Sequence, residues 1–347
     1  MKLSPVKHPR DLESCLGYST SESVSCRRLR LTQDMCSEKD KKVTKSPIVV
    51  TIVIPTYKRS DKLARCLNSV LGQTYDMIEV LIANDNHTDD DSDKMTESVL
   101  AGFVARDPRI RVVHTDGGVG GGAARNLACS QAKGDYLAFL DDDDEYLPDK
   151  ISSQLAFMQV NGLDMCWQDV SWYGEDGKLV EHRRLDHCKD FSREGLLRAH
   201  LLTPIAPTSI YMLKRSLFEQ TEGFGEVATG QDWWLMLRCI EAGARIGYMP
   251  EVHVRQYLHS GERLSIGANK IAGEKLRHEK VRSYYPQLSK KDVAFIEFRH
   301  NAVLAFACGR GGRRADAVKY AVRTFLSSPR LCFEQGVRYF TSGKRLP

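Results

Sequence analysis

Five consecutive acidic residues follow a short apolar segment near the middle of the chain. Residues Tyr136–Leu140 lead directly into the acidic run Asp141–Glu145. Carboxylates this close together repel one another, and the repulsion raises their pKa values unless a positive charge compensates them. Their oxygen atoms are suitable ligands for a divalent cation such as Mn²⁺ or Mg²⁺. A polar turn is the alternative, but successive aspartates make a poor turn, and we therefore predict a metal site.

Asp85 and a glycine-rich run are two further candidates for ligand binding. Asp85 follows the apolar segment 78–83, where a carboxylate can accept hydrogen bonds from ribose hydroxyls or a base N–H. Considered alone, Asp85 fits a turn or a helix cap better. Residues 117–122 contain five glycines and precede a predicted helix with Arg125 and Asn126 in its first turn. The run is suited to a phosphate, although a flexible turn fits the pattern equally well.

Alternating strands and helices are predicted to position these residues. Residues 48–54 form a β-branched run ended by Pro55, which is typical of a buried parallel strand. Ser60 and Asp61 predict the N-cap of the helix that follows. Further elements alternate up to the acidic run, with strands at 78–83 and 109–114 and a helix at 123–128. The alternation predicts an α/β fold built on a right-handed βαβ sheet.

The polar candidates are expected to meet at one edge of this sheet. Tyr57, Asp85 and the acidic run each follow a predicted strand. Open α/β sheets bind ligands beyond the carboxyl ends of their strands. Convergence of several polar groups at that edge is a stronger indication of a site than any one of them.

The remaining regions of the chain are less regular. Residues 1–46 are polar without sustained periodicity and are predicted to be a mobile extension. In the second half the pattern predicts strands and helices at 165–173, 209–213, 233–242 and 245–248, and only helices after Ala268.

Composition limits the classes of protein to consider. The chain has 347 residues, 42% hydrophobic and 27% charged, which is typical of a globular protein. We find no apolar segment long enough to span a membrane and no apolar core of a signal peptide, so we expect a cytoplasmic protein. Its ten cysteines form no C-x-x-C pair, which argues against a zinc knuckle or a redox motif.

Charge is strongly segregated along the chain. Residues 47–269 carry a net charge of −10, whereas residues 270–347 carry 17 basic and six acidic residues, a net +11. In the basic segment, apolar residues such as Val318 and Phe325 alternate with Lys319 and Arg323. This pattern favours contact with an anionic membrane surface. A helical extension packed on the rest of the protein is the alternative.

Six short motifs occur together in an order that identifies an enzyme family. They are Thr51–Arg59, Leu67–Tyr75, Asn84–Asp85, Ala124–Asn126, Leu140–Asp144 and Gly230–Trp233. Together they closely resemble the family 2 nucleotide-sugar glycosyltransferases, over about residues 48–262. The resemblance implies the GT-A fold, a Rossmann-like mixed sheet flanked by helices. It predicts a nucleotide-sugar-binding half at 47–155, an acceptor-binding half at 156–268 and a basic helical C-terminal extension at 269–347.

The resemblance also implies roles for individual residues. Asp232 matches the general base, although without the resemblance it fits a helix N-cap. Asp141 and Asp143 match the metal ligands, and His259 lies where relatives carry a histidine near the metal, with His253 as the alternative. Trp233 and Trp234 are expected to stack on an acceptor sugar, although a buried helix face explains at least one of them. The predicted donor-binding residues are Pro55, Thr56, Tyr57, Arg59, Asp85, Arg125, Asp141 and Asp142.

The implied activity is inverting transfer of a single sugar, dependent on Mn²⁺ or Mg²⁺. We expect a nucleoside diphosphate sugar, specifically a UDP-sugar, as donor. The expected acceptor is a saccharide or lipid-linked saccharide of bacterial surface polysaccharide assembly, used at the inner face of the cell membrane. Nucleic acid is not an expected partner. The absence of a Gln-x-x-Arg-Trp motif argues against a processive synthase. The alternatives are a sugar-phosphate nucleotidyltransferase and a non-catalytic nucleotide-sugar binding module.

Overall fold

The structure is a computed structural model that describes residues 47–225, 227, 229–258 and 268–334. The predicted mobile extension at 1–46 and the predicted metal ligand His259 therefore lie outside the described residues. In the described part of the chain, no helix is both long and apolar enough to cross a membrane.

The described strands form one mixed sheet with nine members. In chain order they are β1 (Val50–Thr56), β2 (Ile78–Asn84), β3 (Ile110–His114), β4 (Tyr136–Phe139), β5 (Glu145–Tyr146), β6 (Met165–Tyr173), β7 (Leu179–Arg183), β8 (Met212–Lys214) and β9 (Ile246–Tyr257). Their order across the sheet is β3-β2-β1-β4-β8-β6-β9-β5, and β7 pairs with β6. The predicted α/β fold with a mixed sheet is confirmed.

Helices flank the sheet and continue to the last described residues. They are α1 (Ser60–Leu71), α2 (Asp91–Val104), α3 (Gly121–Ser130), α4 (Lys150–Val160), α5 (Arg193–Leu202), α6 (Arg215–Gln220), α7 (Gln231–Glu241), α8 (Ala268–Arg282), α9 (Lys290–Arg310) and α10 (Arg314–Ser327). Two 3₁₀ turns occur at Thr208–Ile210 and Tyr285–Gln287. The predicted helical C-terminal region is confirmed by α8, α9 and α10.

Strands β1 to β4 form the parallel half of the sheet. Strand β1 pairs in parallel with both β2 and β4, and β2 pairs in parallel with β3. Every residue of β2 and β4 is buried, which explains why both strands are mainly apolar in the sequence. All four strands therefore end at the same edge, directly before the predicted polar loops.

Two local predictions in this half were wrong. Pro55 does not end β1, because the strand continues to Thr56. Strand β4 pairs with β1 only as far as Val53. Proline has no backbone N–H, and on the β4 side no strand residue pairs with Pro55, so no hydrogen bond is lost there. Helix α1 begins at Ser60 itself, and its cap residue Arg59 makes no side-chain capping hydrogen bond.

Glu79 connects several elements of the parallel half through one buried carboxylate. It accepts hydrogen bonds from the Thr51 hydroxyl at 2.7 Å, the Lys133 amide at 2.8 Å and the Arg111 guanidinium at 2.6 Å. Burial alone would raise the pKa of Glu79, but these donors outweigh it and lower the pKa. The folded state therefore favours the charged form of Glu79.

We expect Glu79→Gln to destabilise the fold by about 2 kcal/mol, because the amide leaves buried donors poorly satisfied. A carboxyl group whose pKa is lowered by folding stabilises the protein above its unfolded pKa, and this contribution is lost as the pH falls through the folded pKa. The loss measured by urea unfolding should therefore be full at pH 7 and shrink below about pH 4. Glu219→Gln, at an exposed position on α6, is the matched control. An equal effect of both changes at pH 7 would contradict this role for Glu79.

Candidate functional site

The site is built where β1, β2 and β4 end. The Asp85 amide donates to the Thr56 carbonyl at 2.9 Å, which joins the loops after β1 and β2. The amide of Lys58 donates to the Asn86 side chain at 2.8 Å and makes a second connection. Thr56 is buried, whereas Tyr57 is 38% exposed. The structure thus brings Pro55, Thr56, Tyr57 and Asp85 to one edge, as predicted from the sequence.

The Asp85 carboxylate holds the glycine-rich run in place. It accepts hydrogen bonds from the Thr115 hydroxyl at 2.5 Å and from the amides of Val119 at 3.0 Å and Gly120 at 2.9 Å. Gly117 has a φ of +86°, and a Cβ there would lie 2.4 Å from the His87 ring. Three amides of the run, those of Gly118, Val119 and Gly120, therefore donate to Asp85, and a role for the run in phosphate binding remains a prediction.

The acidic run places three carboxylates around one point. Oxygen atoms of Asp141, Asp143 and Asp144 lie within 4.8 Å of one another. Asp144 was not among the predicted ligands, although it belongs to the same acidic run. Its carboxylate accepts from the Tyr257 amide at 3.1 Å and the Gln256 side chain at 3.2 Å, which ties the run to β9. Three oxygen donors at this spacing are a suitable set for a hard divalent cation.

Arginine side chains supply positive charge to the same carboxylates. Arg59 contacts Asp142 at 3.1 Å and Asp143 at 2.6 Å, and Arg125 forms an ion pair with Asp141. The predicted donor-binding residues Arg59 and Arg125 are thus at the acidic run. Part of the charge compensation expected from a metal is already present in these ion pairs.

Burial raises the pKa values of two carboxyl groups in the acidic run. It raises the pKa of Asp142 to about 7, although the Arg59 charge opposes the effect. Burial, with repulsion from Asp141 and Asp143, also raises the pKa of Asp144 well above its usual range. Carboxylates perturbed in this way at a sheet edge are typical of functional sites.

Arg125 connects the acidic run to the predicted base. Besides Asp141, it reaches the Gln231 side chain at 3.2 Å, one residue before Asp232 on α7. Asp232 lies in the first turn of α7, and its own Oδ1 accepts from the Trp233 amide at 2.8 Å. Burial raises the pKa of Asp232, which brings it closer to the range in which a carboxylate accepts a proton near neutrality.

The two tryptophans after Asp232 occupy different environments. Trp233 is 2% exposed and stacks on His200 with ring centroids 5.3 Å apart. It packs with Leu237 and Val281 in an apolar cluster that is separate from the main core. Trp234 is only partly buried and contacts Trp233 edge to face. The alternative of a buried helix face therefore applies to Trp233, and a role for either residue in acceptor binding remains a prediction.

The ring of His253, the alternative to His259, contacts acidic residues outside the acidic run. Its ring nitrogens contact Asp149 and Glu251, each at 2.9 Å. These contacts give His253 a structural role beside α4. His259, which lies outside the described residues, therefore remains the histidine that we predict to bind the metal.

A sequence match to a family model decides the family, and it covers the parallel half of the sheet and the elements that follow it. Residues 51–221 match the model of the family described as glycosyl transferase family 2. This segment of the chain belongs to glycosyl transferase family 2. This match covers β1 to β8 and therefore includes the acidic run, but it ends before Asp232.

Proteins described as glycosyltransferases are similar to this chain over different lengths. An uncharacterized glycosyltransferase of Rickettsia felis is 34% identical over 188 residues, which are 54% of this chain and 29% of the relative. The chain thus spans less than a third of that relative's length. The putative colanic acid biosynthesis glycosyl transferase WcaA of Escherichia coli is 26% identical over 282 residues, 78% of this chain and 98% of the relative.

Solved structures confirm the GT-A architecture expected for family 2. TarS of S. aureus, residues 1–349 in complex with UDP-GlcNAc, superposes with a TM-score of 0.51 at 19% identity and covers 80% of this chain and 73% of its own. The mannosyltransferase PcManGT of Pyrobaculum calidifontis, in complex with GDP-Man and Mn²⁺, gives a TM-score of 0.52 at 18% identity over 86% and 88% of the two chains. At these identities the likeness establishes the fold alone.

Proposed function

We propose that this chain is an inverting, metal-dependent glycosyltransferase that moves a single sugar from a UDP-sugar to an acceptor hydroxyl. The observation that carries the proposal is the Arg125 bridge, which connects Asp141 of the acidic run to Gln231, the neighbour of Asp232. It connects a candidate metal and diphosphate site to the helix turn that carries a candidate base. Inverting transfer requires both functions on opposite sides of the reacting sugar carbon.

In this proposal the residues of the sheet edge bind the donor. Asp141 and Asp143, supported by Asp144, would hold Mn²⁺ or Mg²⁺, which when bound neutralises the negative charge of the departing diphosphate. The loop with Pro55, Thr56 and Tyr57 would contact the nucleotide. Arg59 and Arg125 have the charge to contact phosphate oxygens once the carboxylates bind a cation. These residues lie beyond the strand ends, where α/β sheets bind nucleotides.

Asp232 is the group that removes the proton of the acceptor hydroxyl in this mechanism. Its pKa is raised by burial, so the carboxylate has a stronger tendency to accept a proton than an exposed aspartate. The hydroxyl oxygen then attacks the anomeric carbon as the bond to the nucleoside diphosphate breaks. Trp234, partly exposed two residues after Asp232, is the residue that we propose to stack on the acceptor sugar.

The acceptor that we propose is a saccharide, or a lipid-linked saccharide, of a bacterial surface polysaccharide. The similarity to WcaA, a putative colanic acid biosynthesis glycosyl transferase covered over 98% of its length, supports a role in polysaccharide biosynthesis. A lipid-linked acceptor would require the protein to work at the inner face of the cell membrane. The basic C-terminal region supplies charge of the sign that anionic lipids attract.

The proposal is tested by the products formed from a panel of nucleotide sugars, with membrane extract as the source of acceptor. A glycosyltransferase releases nucleoside diphosphate from one donor. A sugar-phosphate nucleotidyltransferase instead releases pyrophosphate from a nucleoside triphosphate and a sugar phosphate, and a binding module releases neither. Only the first outcome agrees with the proposal.

Removal of metal should abolish the release of nucleoside diphosphate, because the leaving group then lacks its main charge compensation. We expect turnover to fall at least about 10²-fold in EDTA, as for loss of a major electrostatic contribution. Excess Mn²⁺ or Mg²⁺ should restore it, whereas Na⁺ at equal ionic strength should not. Full turnover in EDTA would show that Arg59 and Arg125 are sufficient for charge compensation without a metal.

A further inference from the structure

Helix α10 turns an apolar face to solvent. The large apolar residues Val318, Val322, Phe325 and Leu326 are 64%, 52%, 56% and 72% exposed. They occur at positions i, i+4, i+7 and i+8 and therefore form one continuous stripe on the helix. A stripe of this kind normally packs against a protein core, so its exposure needs an explanation.

The opposite side of α10 is the side that packs on the protein. Ala317 and Tyr320 contact the cluster formed by Ile271, Leu304 and Cys308. Thr324, one turn further on, is the buried residue of α10. Positions 317, 320 and 324 lie roughly opposite the exposed stripe at ~100° per residue. The exposed stripe is therefore a second face that the described residues leave uncovered.

The apolar surface continues from α10 onto α9. A groove of about 610 Å³ between the two helices is lined mainly by alanine, glycine and threonine, with Phe306 and Val318. Phe306 is 54% exposed, and Phe333, just beyond α10, is 75% exposed. We call the exposed side chains of Phe306, Val318, Val322, Phe325 and Leu326 the apolar face.

Basic residues border the apolar face. On the helical wheel Arg314 lies on one flank of the stripe, and Lys319 and Arg323 lie on the other. The region 310–334 contains six basic and two acidic residues. An apolar stripe between basic flanks is the pattern of a helix that lies in the surface of an anionic bilayer. Two copies of this face would bring the same positive flanks together, which argues against a second copy as its occupant.

We propose that the apolar face of α9 and α10 docks in the plane of an anionic lipid bilayer. The side chains of Val322, Phe325 and Leu326 enter the boundary between headgroups and acyl chains, and Lys319 and Arg323 contact lipid phosphates. This inference assigns a surface to the membrane contact included in the proposed function. Lipid binding is measured without a sugar donor, so it can fail or succeed independently of the transferase activity.

The test is co-sedimentation of the full chain with vesicles of phosphatidylcholine, alone or mixed with phosphatidylglycerol. The wild-type chain should bind the mixed vesicles more tightly and lose binding as salt increases. Phe325→Ser with Leu326→Ser should lower the partition coefficient at least about tenfold, because two large apolar side chains no longer leave water. Met95→Ser with Val160→Ser, at positions 59% and 85% exposed elsewhere, is the matched control.

Charge is tested separately with Lys319→Gln and Arg323→Gln. Each change should weaken binding to the anionic vesicles about fivefold at low salt. Arg184→Gln with Lys189→Gln, exposed residues outside α9 and α10, is the matched control and should have little effect. Circular dichroism and the thermal midpoint verify that every variant remains folded.

Three results would overturn the proposal. The first is that the full chain does not bind the mixed vesicles. The second is that the serine variant binds them as tightly as its control variant. In the third, light scattering shows a dimer that Phe325→Ser with Leu326→Ser converts to a monomer while vesicle binding is unchanged. That last result would assign the face to a second copy of the chain.

Discussion

Asp143→Asn is expected to abolish turnover and metal-dependent donor binding. Asp143 is one of three residues whose carboxylate oxygens lie within 4.8 Å of one another, and the change removes one anionic ligand from this set. It also removes the partner that Arg59 contacts at 2.6 Å. Loss of a metal ligand leaves the diphosphate charge poorly compensated in the transition state, so we expect a loss of at least about 10³-fold.

The measurement is nucleoside diphosphate release together with calorimetric titration of UDP in the presence and absence of Mn²⁺. Asp176→Asn, the same change in an exposed turn between β6 and β7, is the control and should behave as wild type. Turnover of Asp143→Asn close to that of the control would contradict the metal assignment. The thermal midpoint is compared as well, because loss of a carboxylate beside Arg59 could act through folding.

Asp232→Asn should retain donor affinity and lose the transfer step by about 10² to 10⁴, the usual contribution of a positioned general base. Asparagine can still accept the Trp233 amide at the start of α7, so the local fold should persist. The amide cannot take a proton from the acceptor hydroxyl at neutral pH.

Donor binding and turnover of Asp232→Asn are measured on one preparation. Unchanged UDP affinity with a large loss of turnover supports the base. A parallel loss of both would instead show that Asp232 acts through the local structure, by way of Gln231 and Arg125.

The sequence predicted the parallel half of the sheet well. Strands β1, β2 and β3 and helix α3 are buried on both sides or amphipathic, so their apolar periodicity is strong. Their order also fixes the edge at which Tyr57, Asp85 and the acidic run meet. The prediction at Pro55 failed because β1 pairs with β2 as far as Thr56, and how far a neighbouring strand extends is not a local property of the sequence.

The elements that the sequence did not reveal are short or only partly buried. Strand β5 has two residues, and β7 is largely exposed, so neither shows a period. Helices α4, α5 and α6 were also not predicted, and α6 is only six residues long. Residues of this second half contact the acidic run, and these contacts join positions far apart in the chain.

The arrangement within the site was the least predictable part. Arg59 and Arg125 were predicted to bind the donor, and the structure places both on the acidic run. The contact of Gln256 with Asp144 joins positions more than a hundred residues apart, and no motif indicates it. This contact continues the antiparallel pairing of β5 with β9, which the sequence pattern alone did not determine.

The most direct test of the account is electron paramagnetic resonance of Mn²⁺ added to the wild-type chain, with and without UDP. The central claim is that the acidic run at the sheet edge is a metal and diphosphate site. We predict that the free Mn²⁺ signal falls on addition of the protein, falls further with UDP, and does neither with Asp143→Asn. A Mn²⁺ signal that remains free while UDP binds equally well in EDTA would contradict the claim.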